Sequence, residues 1–227
     1  MTDRPILFSG PMVRALLAGR KTQTRRVLKA QPRAGARYTG IHYASDEPDS
    51  WFFNTPHGSQ KVRVAYDEGD RLWVREAWRT GLAYDDLSPS EMGGDEQVLF
   101  EADGVTERWS RNSSEPGRLR AGMHMPRWAS RLTLIVTDVR VQRLQEITNE
   151  DCIAEGIPVH PNENAPRVGP VIDDFGRKND LISHYGAGYR RLWDSLNAAR
   201  GFSWQTNPWI VAVTFAVERR NIDARAT

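Results

Sequence analysis

The sequence predicts an α+β protein, a small β-barrel flanked by helices and carrying long loop insertions. Two observations support that expectation. Segments in which apolar and polar residues alternate, the mark of half-buried strands, recur on both sides of a few helix-like stretches. Their order is strand, helix, excursion, several strands, short helix, longer helix and strand, which suits a small barrel decorated with helices. The 227 residues fit one domain over 1–227. Its core would take up about 4–29, 67–79, 128–157 and 186–218, with insertions at about 30–66, 80–127 and 158–185.

The segment RPILFSG, Arg4 to Gly10, reads as a short buried strand. Pro11 then suits the first turn of a helix, and Met12, Val13, Ala15 and Leu16 supply an apolar stripe. Gly19 is placed to stop that helix in a left-handed turn. Lys21 follows just beyond the helix C-terminus, where the dipole favours a cation, so a simple capping role for Arg20 and Lys21 is one reading of both. Residues 30–66 are rich in Pro, Gly, Ser and aromatics, and read as a long excursion with one hairpin. Gly69 and Asp70 signal a turn into a strand in which Leu72, Val74 and Glu76 alternate with Arg71, Trp73 and Arg75. A second excursion over 80–122, acidic and then rich in Ser, Gly and Arg, is expected to be mobile.

The strongest strand signal is SRLTLIVTDVRVQRLQEI, with Leu132, Leu134 and Val136 on one face, then Val139 and Val141 after a register change near Asp138. TNEDCIAEGI follows as a short helix, with Thr148 as its N-cap, acids in the first turn and Gly156 at its end. Residues 158–180 form a third Pro-, Gly- and Asp-rich loop. GYRRLWDSLNAARG is an amphipathic helix with Tyr189, Leu192, Trp193 and Leu196 on one face and Gly201 as its stop. NPWIVAVTFAVE closes the chain's regular structure as a strand. Trp73, Trp193 and Trp209 lie in apolar periodic segments and are assigned to the core.

The formal charge is only +2, but it is unevenly spread. Residues 1–40 hold nine Lys or Arg against Asp3, whereas residues 80–107 hold eight acids and no base. Of the 31 basic residues 27 are Arg, whose planar fork suits phosphate and base stacking, although a genome rich in Arg codons would give the same bias. The longest apolar run, Trp209 to Val217, falls short of the roughly 20 residues that span a bilayer, and no signal peptide is expected. With Cys152 as the single cysteine, the chain is expected in a reducing cytoplasm. His57, His124, His160 and His184 are scattered without Cys or Asp pairs at ligand spacing, so neither metal nor other cofactor is expected.

The segments LLAGRKTQTRR, GDRLWVREAW, LTLIVTDVRV, ITNEDCIAEGI and NPWIVAVTF, in that order, resemble the ASCH domain family of the PUA-like superfamily. The chain is most similar to the larger members found in phages and prophages, and the resemblance covers about half of it. It implies a PUA-like barrel and recognition of RNA or a modified nucleoside. One small bacterial branch of the family hydrolyses the acetyl amide of N4-acetylcytidine with a Lys, a Thr three residues on, and a Glu from a later helix. The matching positions are Lys21, Thr24 and Glu155. The insertions are far larger than in that branch. The resemblance therefore implies a nucleic-acid or modified-nucleoside recognition protein, an amidohydrolase acting on an N-acylated cytidine-type base. A non-catalytic RNA or modified-base module and a ribonuclease stand as alternatives.

Amide hydrolysis needs a nucleophile, a proton acceptor and a group that stabilises the oxyanion. Thr24 or a water would attack, Glu155 would take the proton, and Lys21 as ammonium, the preferred form, would hold the developing charge; as the base instead, Lys21 would need a pKa well below the unperturbed ~10.4. Lys21 and Thr24 have opposite parity, so this arrangement demands a turn or bulge between them. Without the resemblance, Thr24 reads as a residue entering a strand and Glu155 as a solvated helix-end residue, with Glu146 and Glu150 as near substitutes. Glu76 ranks behind Glu155 as an acid. For nucleic-acid contact, the runs KTQTRR and MHMPRWASR offer Arg25, Arg26, Arg127, Arg131 and Trp128, bases beside a stacking surface. Arg75 would orient Glu76 or meet a phosphate.

Overall fold

The computed structural model describes residues 1–41, 50–104, 115–157, 171–172, 178–179 and 184–224. Its strands begin with β1 (Asp3–Leu7), β2 (Gln23–Val27), β3 (Arg37–Ile41), β4 (Ser50–Thr55), β5 (Gly58–Arg63) and β6 (Arg71–Arg75). They continue with β7 (Trp78–Arg79), β8 (Leu99–Phe100), β9 (Thr133–Arg143), β10 (Val171–Ile172), β11 (Lys178–Asn179) and β12 (Trp209–Glu218). The helices are α1 (Gly10–Leu17), α2 (Asn149–Ala154) and α3 (His184–Asn197). The protein is α+β, mostly sheet with few helices, and among the described residues the strands do not close into a barrel. No described helix is long and apolar enough to cross a membrane. The chain divides into two compact units, one of Met1–Arg20, Glu68–Thr137 and Phe215–Thr227, the other of Lys21–Asp67 and Asp138–Thr214.

In the first unit β1 runs parallel to β6, and β6 pairs antiparallel with Thr133–Ile135 of β9. β1 is a sheet edge, which corrects the expectation of a buried strand: Ile6 is buried, but Leu7 is 48% exposed. Leu72, Val74 and Glu76 are buried as their alternation predicts, and so are Leu132, Leu134 and Val136. α1 ends as its sequence requires. Gly19 takes φ +69°, the Gly19 N–H donates to Leu16 O at 3.0 Å, and the Arg20 N–H donates to Ala15 O at 2.9 Å. These two bonds make a Schellman stop, which satisfies carbonyls that a helix end otherwise leaves bare. The acidic excursion is packed over much of its described length: Met92 joins Trp78, Met125 and Ala129 in a core flanked by Val98, Phe100 and Trp128, and β7 pairs with β8. Its residues 105–114 lie outside the described residues.

In the second unit β12 pairs antiparallel with β2, in unbroken register from Thr214↔Gln23 to Ile210↔Val27. A core of Leu144, Cys152, Tyr189, Trp193, Trp204, Ile210 and Ala212 packs beside that ladder. Truncating an aromatic residue as buried as Trp193 would cost about 3–5 kcal/mol. The excursion at 30–66 holds more than the single hairpin expected from sequence. β3, β4 and β5 form a three-stranded antiparallel sheet, because Trp51 and Phe53 on one strand and Val62 on the next bury the same face. α3 buries Tyr189 and Trp193, but Leu196 is 48% exposed and Asn197 takes the inward position, its side chain donating to Trp193 O at 3.1 Å. That corrects the expected apolar face by one residue. Within the third loop β10 pairs with β11, and residues 158–170, 173–177 and 180–183 lie outside the described residues.

Candidate active site

Two helix stops deliver the residues of the site. Thr148 caps α2 reciprocally: its hydroxyl accepts from the Asp151 N–H, and the Asp151 carboxylate accepts from the Thr148 N–H, each at 3.2 Å. After the six residues of α2 the helix closes on a second Schellman stop. Gly156 adopts φ +83°, its N–H donates to Ile153 O at 2.8 Å, and the Ile157 N–H donates to Cys152 O at 3.3 Å. Glu155 is the C-cap residue, held just before that turn. Lys21, two residues past Gly19, forms an isolated antiparallel bridge with Glu155, and the Thr22 N–H donates to Ala154 O at 2.8 Å.

The Lys21 side chain is fully buried. Its Nζ donates to Gln23 O at 2.8 Å, to Glu155 O at 3.0 Å and to Glu155 Oε2 at 2.7 Å. An ammonium has three donors, so each has an acceptor. The other carboxylate oxygen, Oε1, accepts from Arg25 NH1 at 3.2 Å, and the same NH1 donates to the Gln23 side chain at 2.5 Å. Arg25 NH2 lies 2.7 Å from Asp151 Oδ2, while Arg140 NH2 donates to Asp151 Oδ1 at 3.0 Å. Two buried cations, Lys21 and Arg25, thus face two buried carboxylates, Glu155 and Asp151. The Arg25 guanidinium also sits 5.9 Å from the Tyr189 ring centre, and its Nε is buried with no acceptor among the described residues.

Burial chiefly lowers the Lys21 pKa, against the pull of Glu155, and the positive charges of Arg26 and Arg25 reinforce the lowering. Asp151 is pushed up by burial, but Arg25, the Thr148 backbone bond and Arg140 outweigh that and hold it below the ordinary range. Cys152 beside them is driven up to about 12, first by burial. Tyr189 is raised well above its ordinary value, again by burial first and then by the Glu155 charge.

Lys21 and Glu155 therefore meet, and Arg25 joins them. Thr24 is buried opposite Val213 in β2. The bond between the Gln23 and Arg25 side chains puts those two on one face of the strand, and strict alternation puts Thr24 on the other. Glu146 accepts from the Arg143 N–H at 3.0 Å, and Glu150 is exposed in the first turn of α2. Arg26 is half-buried opposite Val211.

The remaining sequence candidates belong to the first unit and are engaged internally. Glu76 is gripped by Arg131 through parallel bonds of 2.9 and 3.0 Å, and Arg131 also donates to Asp103 at 2.7 Å and lies 3.8 Å from the Phe100 ring centre. Burial raises the Glu76 pKa, against the opposing pull of Arg131. Arg127 bridges Asp3 at 2.5 Å and Asp223 at 2.6 Å. Arg75 donates to Met125 O at 3.2 Å and to Met123 O, and Trp128 packs edge-on to Trp78 at 6.3 Å. Sequence reasoning missed Asp151 and Gln23 as members of the Lys21 network. Asp151 sits three residues after Thr148 and reads as a cap, which it is; only the fold reveals that it also faces Arg25.

Among the described residues no three of His, Cys, Asp and Glu gather where they could hold a metal ion. No protein-family model and no curated protein matches the chain. Among solved structures it is similar to the crystal structure of protein EF3133 from Enterococcus faecalis V583, described under the family model DUF984. The likeness covers 100% of this chain and 86% of that one, at 9% identity and a TM-score of 0.40, too distant to bear on function.

Proposed function

We propose that the chain is a single ASCH-like domain of the PUA-like class, its strands belonging to a small barrel. In this reading it recognises RNA or a modified nucleoside in the cytoplasm and hydrolyses the acyl amide of an N-acylated cytidine-type base. The reading is supported above all by one observation: Lys21 and Glu155, the positions singled out by resemblance, lie 2.7 Å apart in a buried site. A water attacks the acetyl carbonyl carbon and Glu155 takes its proton. The oxyanion exchanges into the donors of Lys21 and the uncommitted Nε of Arg25. When the C–N bond breaks, Glu155 returns the proton to the departing nitrogen, leaving acetate and the free base. With Thr24 turned away from Arg25, water rather than its hydroxyl is the nucleophile.

Mass spectrometry of cytidine and acetate released from N4-acetylcytidine tests this. Wild type and Thr24→Val should turn over, while Lys21→Met and Glu155→Gln should not, with circular dichroism establishing that each variant is folded. Absence of turnover by folded wild type overturns the hydrolase reading. The full burial of Lys21, with each N–H already accepted, favours a second reading in which the network is a scaffold for a non-catalytic RNA or modified-base module. Salt-dependent RNA binding by a chain without turnover would support it.

A further inference from the structure

We propose a second ligand site in the unit that contains Lys21: a pocket beyond the opposite end of the β2–β12 ladder, suited to a planar aromatic ring that carries an anionic group, the chemistry of a nucleoside 5′-phosphate. Lys21 precedes the Gln23↔Thr214 end of that ladder, whereas Trp209 adjoins the Val27↔Ile210 end. The two places are separated by the length of a five-residue strand, on the order of 17 Å. The pocket has a volume of about 460 Å³, within the range that holds small molecules, and is lined by Ala36, Arg37, Tyr38, Val141, Arg143, Glu146 and Trp209.

Its walls supply two kinds of recognition. The first is aromatic and rigid. The half-buried Tyr38 stacks on Trp51 at 5.2 Å and 28° and leans on Phe53 at 5.6 Å; Phe53 meets Trp209 edge-on at 5.0 Å. Trp51 and Phe53 are buried, so the ring that borders the pocket is backed by a fixed stack. The second is cationic. The Arg143 guanidinium lies 4.5 Å from the Trp209 ring centre and donates to Asn207 O at 3.1 Å, which fixes a cation beside the indole in the lining of the pocket, a group on which a base can stack. Arg37 is exposed and has no ion-pair partner among the described residues. It is the free phosphate donor of the pair.

Glu146 would oppose an anion, but one of its oxygens is committed to the Arg143 N–H at 3.0 Å, which leaves the other as an acceptor for a sugar hydroxyl or an exocyclic amine. Its charge limits the site to a lightly charged ligand, a monophosphate rather than a triphosphate. Neither a bare phosphate nor an uncharged nucleoside uses both walls.

The site stands independently of the amidohydrolase reading, since it uses none of that network. Calorimetric titration of the full chain at low salt with AMP, GMP, CMP and UMP should give saturable 1:1 binding. Inorganic phosphate and the corresponding nucleosides should bind at least roughly tenfold more weakly, the scale of losing a charge-assisted bond or a stacked ring. Arg37→Ala, which removes only an exposed side chain, and Arg143→Lys should each weaken nucleotide binding by roughly tenfold. Arg37→Ala should leave N4-acetylcytidine turnover unchanged, so the two readings fail separately. A 5′-phosphorylated hexauridylate that binds more tightly than UMP identifies the ligand as a nucleotide of an RNA strand; equal or weaker binding identifies a free nucleotide. Failure of every nucleotide to saturate, or wild-type affinity in both Arg variants, overturns the site.

Discussion

The Lys21 ammonium meets Glu155 twice, at its main-chain oxygen and at its carboxylate, and spends its third proton on Gln23 O. The first of these bonds satisfies a carbonyl at the C-terminal end of α2, and the second pairs a charge. One side chain is thus both helix cap and counter-ion. Removing either partner of a buried pair leaves the other uncompensated, at a cost of about 3–5 kcal/mol. Lys21→Met and Glu155→Gln should each lose that much in urea unfolding. The double substitution should lose clearly less than the sum of the two. A single-variant loss below about 1 kcal/mol would mean that the pair is solvated in solution.

Stability should respond to pH through this lysine in a defined direction. Its folded pKa lies below the ordinary 10.5, so between the two values the unfolded chain binds the extra proton. Stability from this group is then fully present above 10.5 and is lost as pH falls through the folded pKa. Glu76 has the opposite form. Its folded pKa is raised above 4.5, chiefly by burial, so its contribution is present below 4.5 and is lost as pH rises through the folded value. Urea midpoints measured against pH should show the alkaline slope vanish in Lys21→Met and the acid slope vanish in Glu76→Gln. Slopes identical to wild type would contradict both assignments.

Cys152 is 1% exposed, and burial lifts its thiol to about 12. At pH 7 the thiolate fraction of such a group is on the order of one in 10⁵. Native protein should therefore resist iodoacetamide for hours and react fully in urea. Prompt labelling of the folded chain would show that the core around α2 opens.

Thr148→Ala removes half of the reciprocal cap on α2 and should cost about 0.5–2 kcal/mol. On the proposed hydrolase reading, since α2 carries Glu155 at its other end, turnover of N4-acetylcytidine should fall with it, through a lower kcat rather than a higher KM. Thr148→Ser should restore both. Failure of the serine to restore them would separate the cap from the site.

The elements that sequence read well are those with strong punctuation. Gly19 and Gly156 stop α1 and α2 where they stand, and Asp138 marks the place where the buried parity of β9 changes from Val136 to Val141. The Lys21–Glu155 meeting was legible only by resemblance, because no local pattern ties residues 134 positions apart. The β3–β5 sheet was under-read: Pro56 and Gly58 look like loop signals, yet Pro56 lies in the two-residue turn between β4 and β5 and Gly58 opens β5, and Trp51, Phe53 and Val62 of these strands bury one face. Two of the arginines assigned to phosphate, Arg127 and Arg131, meet acids of the chain itself, and the sequence could not show it for a physical reason. A basic side chain in sequence looks the same whether its partner is a ligand or, like Asp223 for Arg127 and Glu76 for Arg131, an acid brought from far along the chain. Arg143 gave no signal, since the Trp209 ring beside it comes from a separate strand, and Arg37 gave none because Tyr38 next to it read as part of a loop excursion.

The distance along the chain between Lys21 and Glu155 also sets an order of events during synthesis. At about 5–20 residues per second, a ribosome reaches Glu155, 134 positions further on, on the order of ten seconds after the lysine. Until then the nascent chain holds an ammonium destined for full burial with no counter-charge to bury it against. The unit that contains it stays open to solvent, and to any chaperone, until α2 has been made.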